Sequence, residues 1–432
     1  MTTEMRSTDR PLPEGVRDLL FADAAAWRSM TTALHETWRG WGYREIILPT
    51  FEYAETLATD VGSQIDAEMY RFFDRHGRTL ALRPDLTIPT ARVVGTRLFD
   101  QPLPLRISYV GNVFRHEPPR AGRQHEFTQA GVELIGARGA AADAEVIALA
   151  VAALRGVGLP RFRITIGHVG FFRGLLAALN LPEQLTGQLR SAVSRKAEAE
   201  LADLLAEAPR LASDVCAASR ALLHFTGGPQ MLHTADAFCL NLMMADALAD
   251  LAALSGLLAA YGVDDAVNYD LAEVRDLDYY TGVTFEGFAP GLGFSLITGG
   301  RYDGLLGHFG PPQPAVGWAL TLDRVLEARE VQGVLGAQPA ADVLLSALGC
   351  PACLTWAASA RALGVRVEVD PLGLAPDELW RAAQARGIPR TIAHSQPAGP
   401  LAASRLLTLR DAAGERPLAA DDWIEVRQWL SR

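Results

Sequence analysis

The stretch Phe114-Arg115-His116-Glu117-Pro118-Pro119-Arg120-Ala121-Gly122-Arg123-Gln124-His125-Glu126-Phe127-Thr128-Gln129-Ala130-Gly131-Val132-Glu133 decides how this chain is read. Its pattern predicts a strand, a short loop broken by proline and glycine, and a returning strand. Along 126–136 successive side chains alternate faces, so Gln129, Gly131 and Glu133 share one side of the sheet. A buried face would carry Val, Ile or Leu at those positions. This one offers an amide, a gap and a carboxylate, with Arg115 on the preceding strand as a neighbour. Such a row makes a floor for a small polar ligand. The competing reading is a solvated face carrying an edge-strand Arg–Glu pair.

Working outward, 432 residues exceed one compact core, and two or three domains are expected. Apolar content of 49% and charged content of 21% are those of an ordinary globular protein. The apolar runs read as too short for a membrane span, and Met1–Arg10 is polar without a signal-peptide core. The expectation is a cytoplasmic protein with no membrane contact. A net charge of −10 argues against a dominant nucleic-acid surface. Lys196 is the sole lysine, which excludes a P-loop and leaves it as the only conceivable Schiff-base residue; its polar helical setting predicts a solvated side chain. Cys350-Pro351-Ala352-Cys353 has redox-pair spacing at a helix start, against the plainer reading of small residues opening a helix; nothing nearby completes a zinc site. No metal and no cofactor is expected.

An extended arm at 11–20 precedes an amphipathic helix over 23–41, with Trp27, Met30, Leu34 and Trp38 at helical spacing and Asp23 as its N-cap. A strand over 44–48 runs into Pro49, and strands and loops continue to Gly136, clearest at 79–83 and 105–114. A helix is predicted over 140–156 and a strand over 161–166. Residues 171–262 read as an Ala/Leu-rich helical insertion, broken at Gly227-Gly228-Pro229. Strands resume at 267–271, 284–288 and 294–297, and Gly299-Gly300 reads as a tight turn before a strand and helix across 315–327. The domain expectation is 1–170 and 263–331 as the two parts of a sheet domain, 171–262 inserted, 332–340 as linker, and 341–432 as a small α/β domain.

Three segments carry a family resemblance. Gly42-Tyr43-Arg44-Glu45-Ile46-Ile47-Leu48-Pro49 resembles the dimer-interface motif of class II aminoacyl-tRNA synthetases, and the 114–133 stretch resembles their second motif. Arg275-Asp276-Leu277-Asp278-Tyr279-Tyr280-Thr281-Gly282, followed by Thr298-Gly299-Gly300-Arg301-Tyr302-Asp303-Gly304, resembles the signatures of histidyl-tRNA synthetase. The resemblance covers residues 11–330. It implies an α+β fold: a class II antiparallel sheet flanked by helices, with a helical insertion and a small anticodon-binding-like C-terminal α/β domain. It also implies a histidine pocket at Asp85, Thr87, Arg115, Gln129, Glu133, Arg275, Tyr279 and Tyr280. Asp85, Thr87 and Gln129 suit an ammonium, Glu133 and a tyrosine suit an imidazole, Arg275 takes the position facing the carboxylate, and Arg115 the position that meets ATP in a synthetase.

Departures from that pattern redirect the function. The third class II motif has a glycine where this chain has Thr321, and a glutamate where it has Asp323, within Gly317-Trp318-Ala319-Leu320-Thr321-Leu322-Asp323-Arg324. A β-branched residue there opposes the close approach of adenine to backbone. Residues 341–432 hold ten Arg and ten acids, no basic excess for an RNA backbone, so tRNA binding is not expected. The combination resembles the regulatory paralogues of ATP phosphoribosyltransferase, as do the runs 13–20, 121–136 and 167–173. The resemblance implies a non-catalytic subunit: a homodimer core within a hetero-oligomer, joined to a short-form ATP phosphoribosyltransferase catalytic subunit, with L-histidine as effector. It would serve the first step of histidine biosynthesis and its feedback regulation. The alternatives are an active histidyl-tRNA synthetase and a histidine-binding module for another partner. Among single residues, Arg275 is expected in the pocket in preference to a surface pair with Asp276 or Asp278, Asp278 is read as structural, His168 as a packing or turn residue, and His116 and His125 as loop residues.

Overall fold

Apolar residues every third or fourth position make the first helix bury one stripe. The computed structural model describes residues 12–58, 66–116, 124–207, 211–273, 279–334, 341–347, 351–394 and 406–419. The first helix, α1 (Phe21–Gly40), buries Met30, Leu34 and Trp38, with Trp27 half-buried beside them. The expected cap is not formed: the helix begins two residues before Asp23, and its N-cap, Leu20, makes no side-chain bond. Then follow β1 (Arg44–Glu45), β2 (Phe51–Tyr53), α2 (Ala54–Leu57), β3 (Arg71–Phe73), β4 (Thr79–Leu82), α3 (Thr87–Arg97), β5 (Leu105–Phe114) and β6 (Glu126–Ile135). Helix α3 was not legible in its β-branched sequence. It forms because Asp85 Oδ1 accepts from Ile88 N at its start and because Ile88, Ala91 and Val94 are buried.

The chain continues with α4 (Ala140–Gly156), β7 (Arg163–His168), α5 (Val169–Leu179), α6 (Glu183–Ser194), α7 (Glu198–Glu207), α8 (Ser213–Ala221), β8 (Thr226–Gly227), α9 (Gln230–Asp236) and α10 (Leu242–Ala260). By length and composition α10 suffices to cross a membrane. It carries Asp246 and Asp250, however, and packs Met244, Leu248, Leu251, Leu254 and Leu258 into the protein core as one stripe. Lys196 is exposed, as expected, and also pairs with Asp270 at 2.5 Å. After α10 come β9 (Val267–Asp270), β10 (Val283–Phe288), β11 (Ile297–Arg301), β12 (Ala315–Thr321) and α11 (Leu322–Val331).

Nine strands make one sheet in the order β1-β5-β6-β12-β11-β10-β7-β9-β8. Its pairs are antiparallel except β1 with β5 and β7 with β9. Strands β2, β4 and β3 form a small separate sheet. Alternation along β6 splits the environment: Ala130, Val132 and Leu134 join the core with α1 and α4, leaving Gln129, Gly131 and Glu133 for the other face. Gly299 and Gly300 lie inside β11, where a turn was expected. A side chain at Gly299 would strike Gly317 O at 2.5 Å, and one at Gly300 would strike the Tyr280 ring at 2.7 Å. These glycines permit close approach between strands.

The chain divides into two compact units, Met1–Leu335 and Gly336–Arg432. In the second, β13 (Val343–Ser346), α12 (Pro351–Ala362), β14 (Val367–Asp370), α13 (Pro376–Ala385), β15 (Thr391–His394), β16 (Leu406–Asp411) and β17 (Gly414–Ala419) form a sheet ordered β14-β13-β15-β16-β17. Val343 and Leu345 face α12 while Leu344 faces α13, so both faces are covered. Strand β17 was not anticipated from its polar sequence; Gly414, at φ 125°, turns the hairpin that creates it. Cys353 is buried and disulfide-bonded, while Cys350 lies outside the described residues, as does the helix expected over 420–430.

Candidate functional site

Sheet register assembles the site. Glu133 pairs with Gly317 of β12, Gly317 with Gly300 of β11, Gly300 with Thr284 of β10, and Thr284 with Gly167 of β7. Residues paired in this way point to one face, so a carboxylate, three glycines and a hydroxyl cross five strands in a row. A Cβ on Gly317 would stand 1.6 Å from Glu133 Oε2, so the carboxylate lies directly over the missing side chain. Gly131 does the same for the Tyr109 ring, whose atoms come within 2.7 Å of a would-be Cβ. Thr284 Oγ1 is buried without a hydrogen-bond partner among the described residues.

Glu133 is the centre of a dry cluster, 1% exposed. Tyr109 Oη donates to its Oε1 at 2.8 Å, and Tyr302 Oη donates to its Oε2. Burial pushes the Glu133 carboxyl up to about 7, although the two phenols, which favour the anion, act against that rise. The phenols of Tyr109, Tyr302 and Tyr279 are held well above their ordinary range, first by burial and then by the charge of Glu133. Tyr279 stacks on Tyr302 at 5.4 Å with 17° between the rings, and Tyr280 packs edge-on to Tyr279.

The loop entering α3 closes the other side. Gln129 Oε1 accepts from Leu86 N at 2.8 Å, which pins the loop to β6. Asp85 is buried, and its carboxyl is raised by that burial against the opposing attraction of Arg115. Thr87 Oγ1 is 3.3 Å from Tyr109 Oη. Arg115 Nε donates to Pro84 O at 2.7 Å, and its guanidinium sits over the Phe127 ring. Asp85, Thr87, Gln129, Glu133, Tyr279 and Tyr280 thus come together in one buried cluster, with Arg115 at its Asp85 side. Arg275, Asp276 and Asp278 lie outside the described residues.

Sequence reasoning missed Tyr109, Tyr302, Thr284 and Gly317. Tyr302 sits in the quoted 298–304 signature and Tyr109 in a strand where Leu105 and Ile107 share its face, so their residue types were visible while their common target was not. Two buried carboxylates ringed by phenols fit a cationic or hydrogen-bond-donating ligand and oppose an anionic one.

The departing positions are also occupied. Asp323 accepts from Thr128 N at 2.8 Å and from Arg17 Nη2 at 2.9 Å. Arg324 donates to Ser295 O at 2.8 Å and lies over the Phe294 ring. Thr321 ends β12 opposite Gln129. His168 caps α5, its Nδ1 accepting from Gly170 N at 3.0 Å, with Asp250 3.5 Å from Nε2. His125 Nδ1 lies 2.9 Å from Tyr70 Oη, with His116 beside it, at the two ends of a segment outside the described residues. No cluster of metal-ligating side chains occurs among the described residues.

The histidyl-tRNA synthetase family profile matches residues 15–325. An ATP phosphoribosyltransferase regulatory subunit from Symbiobacterium thermophilum is 44% identical, over 91% of this chain and 98% of its own length. One from Moorella thermoacetica is 42% identical, over 87% of this chain and 96% of its own. Among solved structures, an ATP phosphoribosyltransferase regulatory subunit/histidyl-tRNA synthetase from Bacillus halodurans C superposes with a TM-score of 0.79 at 33% identity, covering 91% of this chain and 100% of that one. Built on the class II histidyl-tRNA synthetase fold, the chain belongs to the family of ATP phosphoribosyltransferase regulatory subunits.

Proposed function

We propose that this chain is the non-catalytic, histidine-sensing subunit of ATP phosphoribosyltransferase, acting in the cytoplasm with a short-form catalytic subunit at the first step of histidine biosynthesis. The observation that carries the sensing role is the Glu133 chamber: a buried carboxylate gripped by Tyr109 and Tyr302, with Asp85 on the adjoining loop. An imidazole N–H donates to Glu133, and the ammonium of the amino acid is held by Asp85, Thr87 and Gln129. Arg115 is counted with this set through its attraction to Asp85, and Arg275 is assigned to the ligand carboxylate by its motif alone. The same fold without aminoacylation is favoured by Thr321 at the adenine-facing glycine position and by an Arg324 already engaged with Ser295 and Phe294.

Feedback then requires that histidine bind two states of the assembly with different affinity. A homodimer core is supported by Ile47, 88% exposed on the 42–49 segment that resembles the class II dimer motif, and by the exposed Phe51–Phe72 pair of the small sheet that follows. The hetero-oligomer with the catalytic subunit and the absence of tRNA binding belong to the same reading; the balanced charge of residues 341–432 supports the latter. Isothermal titration with L-histidine tests it, on the wild-type subunit, on its complex with the catalytic subunit and on Glu133→Ala. Saturable binding that the substitution abolishes is expected. No binding to the wild-type subunit or complex refutes sensing, and histidine-dependent ATP–pyrophosphate exchange would make the chain a synthetase.

A further inference from the structure

The end of β7 away from the histidine chamber holds a cavity of about 880 Å³. The Glu133 row crosses β7 at Gly167, and Arg163 begins that strand about 13 Å further along by strand rise. Three arginines, Arg155, Arg161 and Arg163, line the cavity together with a single acidic residue, Asp265. This is a concentration of positive charge in a chain whose net charge is −10. Phe162, Phe288 and Pro290 supply apolar wall.

The arginines are set in place by the fold. Arg155 Nη2 grips both oxygens of Asp265 at 2.9 and 3.1 Å. Arg163 Nη1 donates to the Asp265 carbonyl at 2.6 Å. The backbone of Arg161 is clamped in both directions by one amide: its N–H donates to Gln332 Oε1 at 3.1 Å and its carbonyl accepts from Gln332 Nε2 at 2.8 Å. The Arg161 guanidinium itself, exposed on the rim, has no protein partner among the described residues. A fourth guanidinium, Arg329, stands beside the cavity residue Gly158, its Nε buried and without a hydrogen-bond partner among the described residues.

We propose that this cavity binds a small phosphate-bearing molecule with an apolar ring, at a site separate from the histidine chamber. Guanidinium forks match phosphate oxygens in pairs, and Arg161, without a side-chain partner among the described residues, and the half-used Arg163 both keep N–H donors for such a ligand. The apolar wall takes the ring. The volume falls in the range of about 300–1,000 Å³ usual for small-ligand pockets.

The test is equilibrium titration of the full chain with adenosine 5′-monophosphate, and separately with inorganic phosphate, at low ionic strength. Expected are saturable nucleotide binding at least about tenfold tighter than phosphate, a loss of about tenfold or more in Arg161→Ala, and unchanged histidine binding in that variant. Arg161 is exposed, so the substitution leaves the fold intact. The Arg115→Ala variant, altered on the other side of the molecule's chemistry, retains nucleotide binding. Absence of saturable nucleotide binding overturns the proposal. So does nucleotide binding no tighter than that of phosphate, and so does binding lost in Arg115→Ala but kept in Arg161→Ala, which would place the nucleotide at the ancestral synthetase site.

Discussion

Replacing Glu133 by glutamine isolates the proton held in the buried tyrosine cluster. Burial raises this carboxyl from 4.5 to about 7. At about 1.4 kcal/mol for each tenfold change in proton affinity, the rise amounts to about 3 kcal/mol. The folded form holds the proton more tightly than the unfolded chain. This contribution to stability is therefore fully present below about pH 4.5, declines as the pH rises, and is lost above about pH 7. Glutamine keeps the shape and an acceptor for a tyrosine hydroxyl but has nothing to titrate. Asp85, whose charge also raises Glu133, remains in both proteins. The stability difference between variant and wild type should thus move by about 2–3 kcal/mol in favour of glutamine between about pH 5 and pH 8. Hydrogen exchange of the peptide carrying β6, read by mass spectrometry, gives the opening free energy of the strand that bears residue 133. Parallel pH profiles for the two proteins would mean that Glu133 titrates as an ordinary wet carboxylate, and the dry-chamber argument would fail.

Two further outcomes follow from the same geometry. Gly317→Ala places a methyl 1.6 Å from Glu133 Oε2 and 2.5 Å from Val132 O. The side chain can swing away but the backbone carbonyl cannot. A loss of about 1–3 kcal/mol and of histidine binding is expected, checked by thermal unfolding and titration; a variant that unfolds and binds like wild type contradicts the register. Phe72→Glu introduces a charge beside Phe51, whose ring lies 5.7 Å away on the same exposed face of the small sheet. Sedimentation should show the dimer dissociating while the protomer keeps its circular dichroism; a persistent dimer moves the interface elsewhere.

Much of the local structure was written in short-range pattern. The limits of β5 and α4 follow from composition and periodicity alone, and both match the 105–114 and 140–156 expectations. Helix α3 and strand β17 were not, because their residues favour other states and only a carboxylate cap or a hairpin turn selects the observed one. Gly299-Gly300 looked like a turn because two glycines most often are one; packing against Tyr280 and Gly317 makes them strand.

The site divides in the same way. By itself the sequence determined that Gln129, Gly131 and Glu133 share a face, since alternation along one strand needs no partner, and its motifs identified the relatives. It left open whether that face was a ligand floor or a wet edge. Tertiary structure ruled out the wet edge by bringing Tyr302, 169 residues away, onto Glu133 beside Tyr109, and by laying the carboxylate over Gly317. Whether a carboxylate is dry depends on what covers it. That cover is set by the pairing of β6 with β12 and β5, a long-range register that no local pattern encodes.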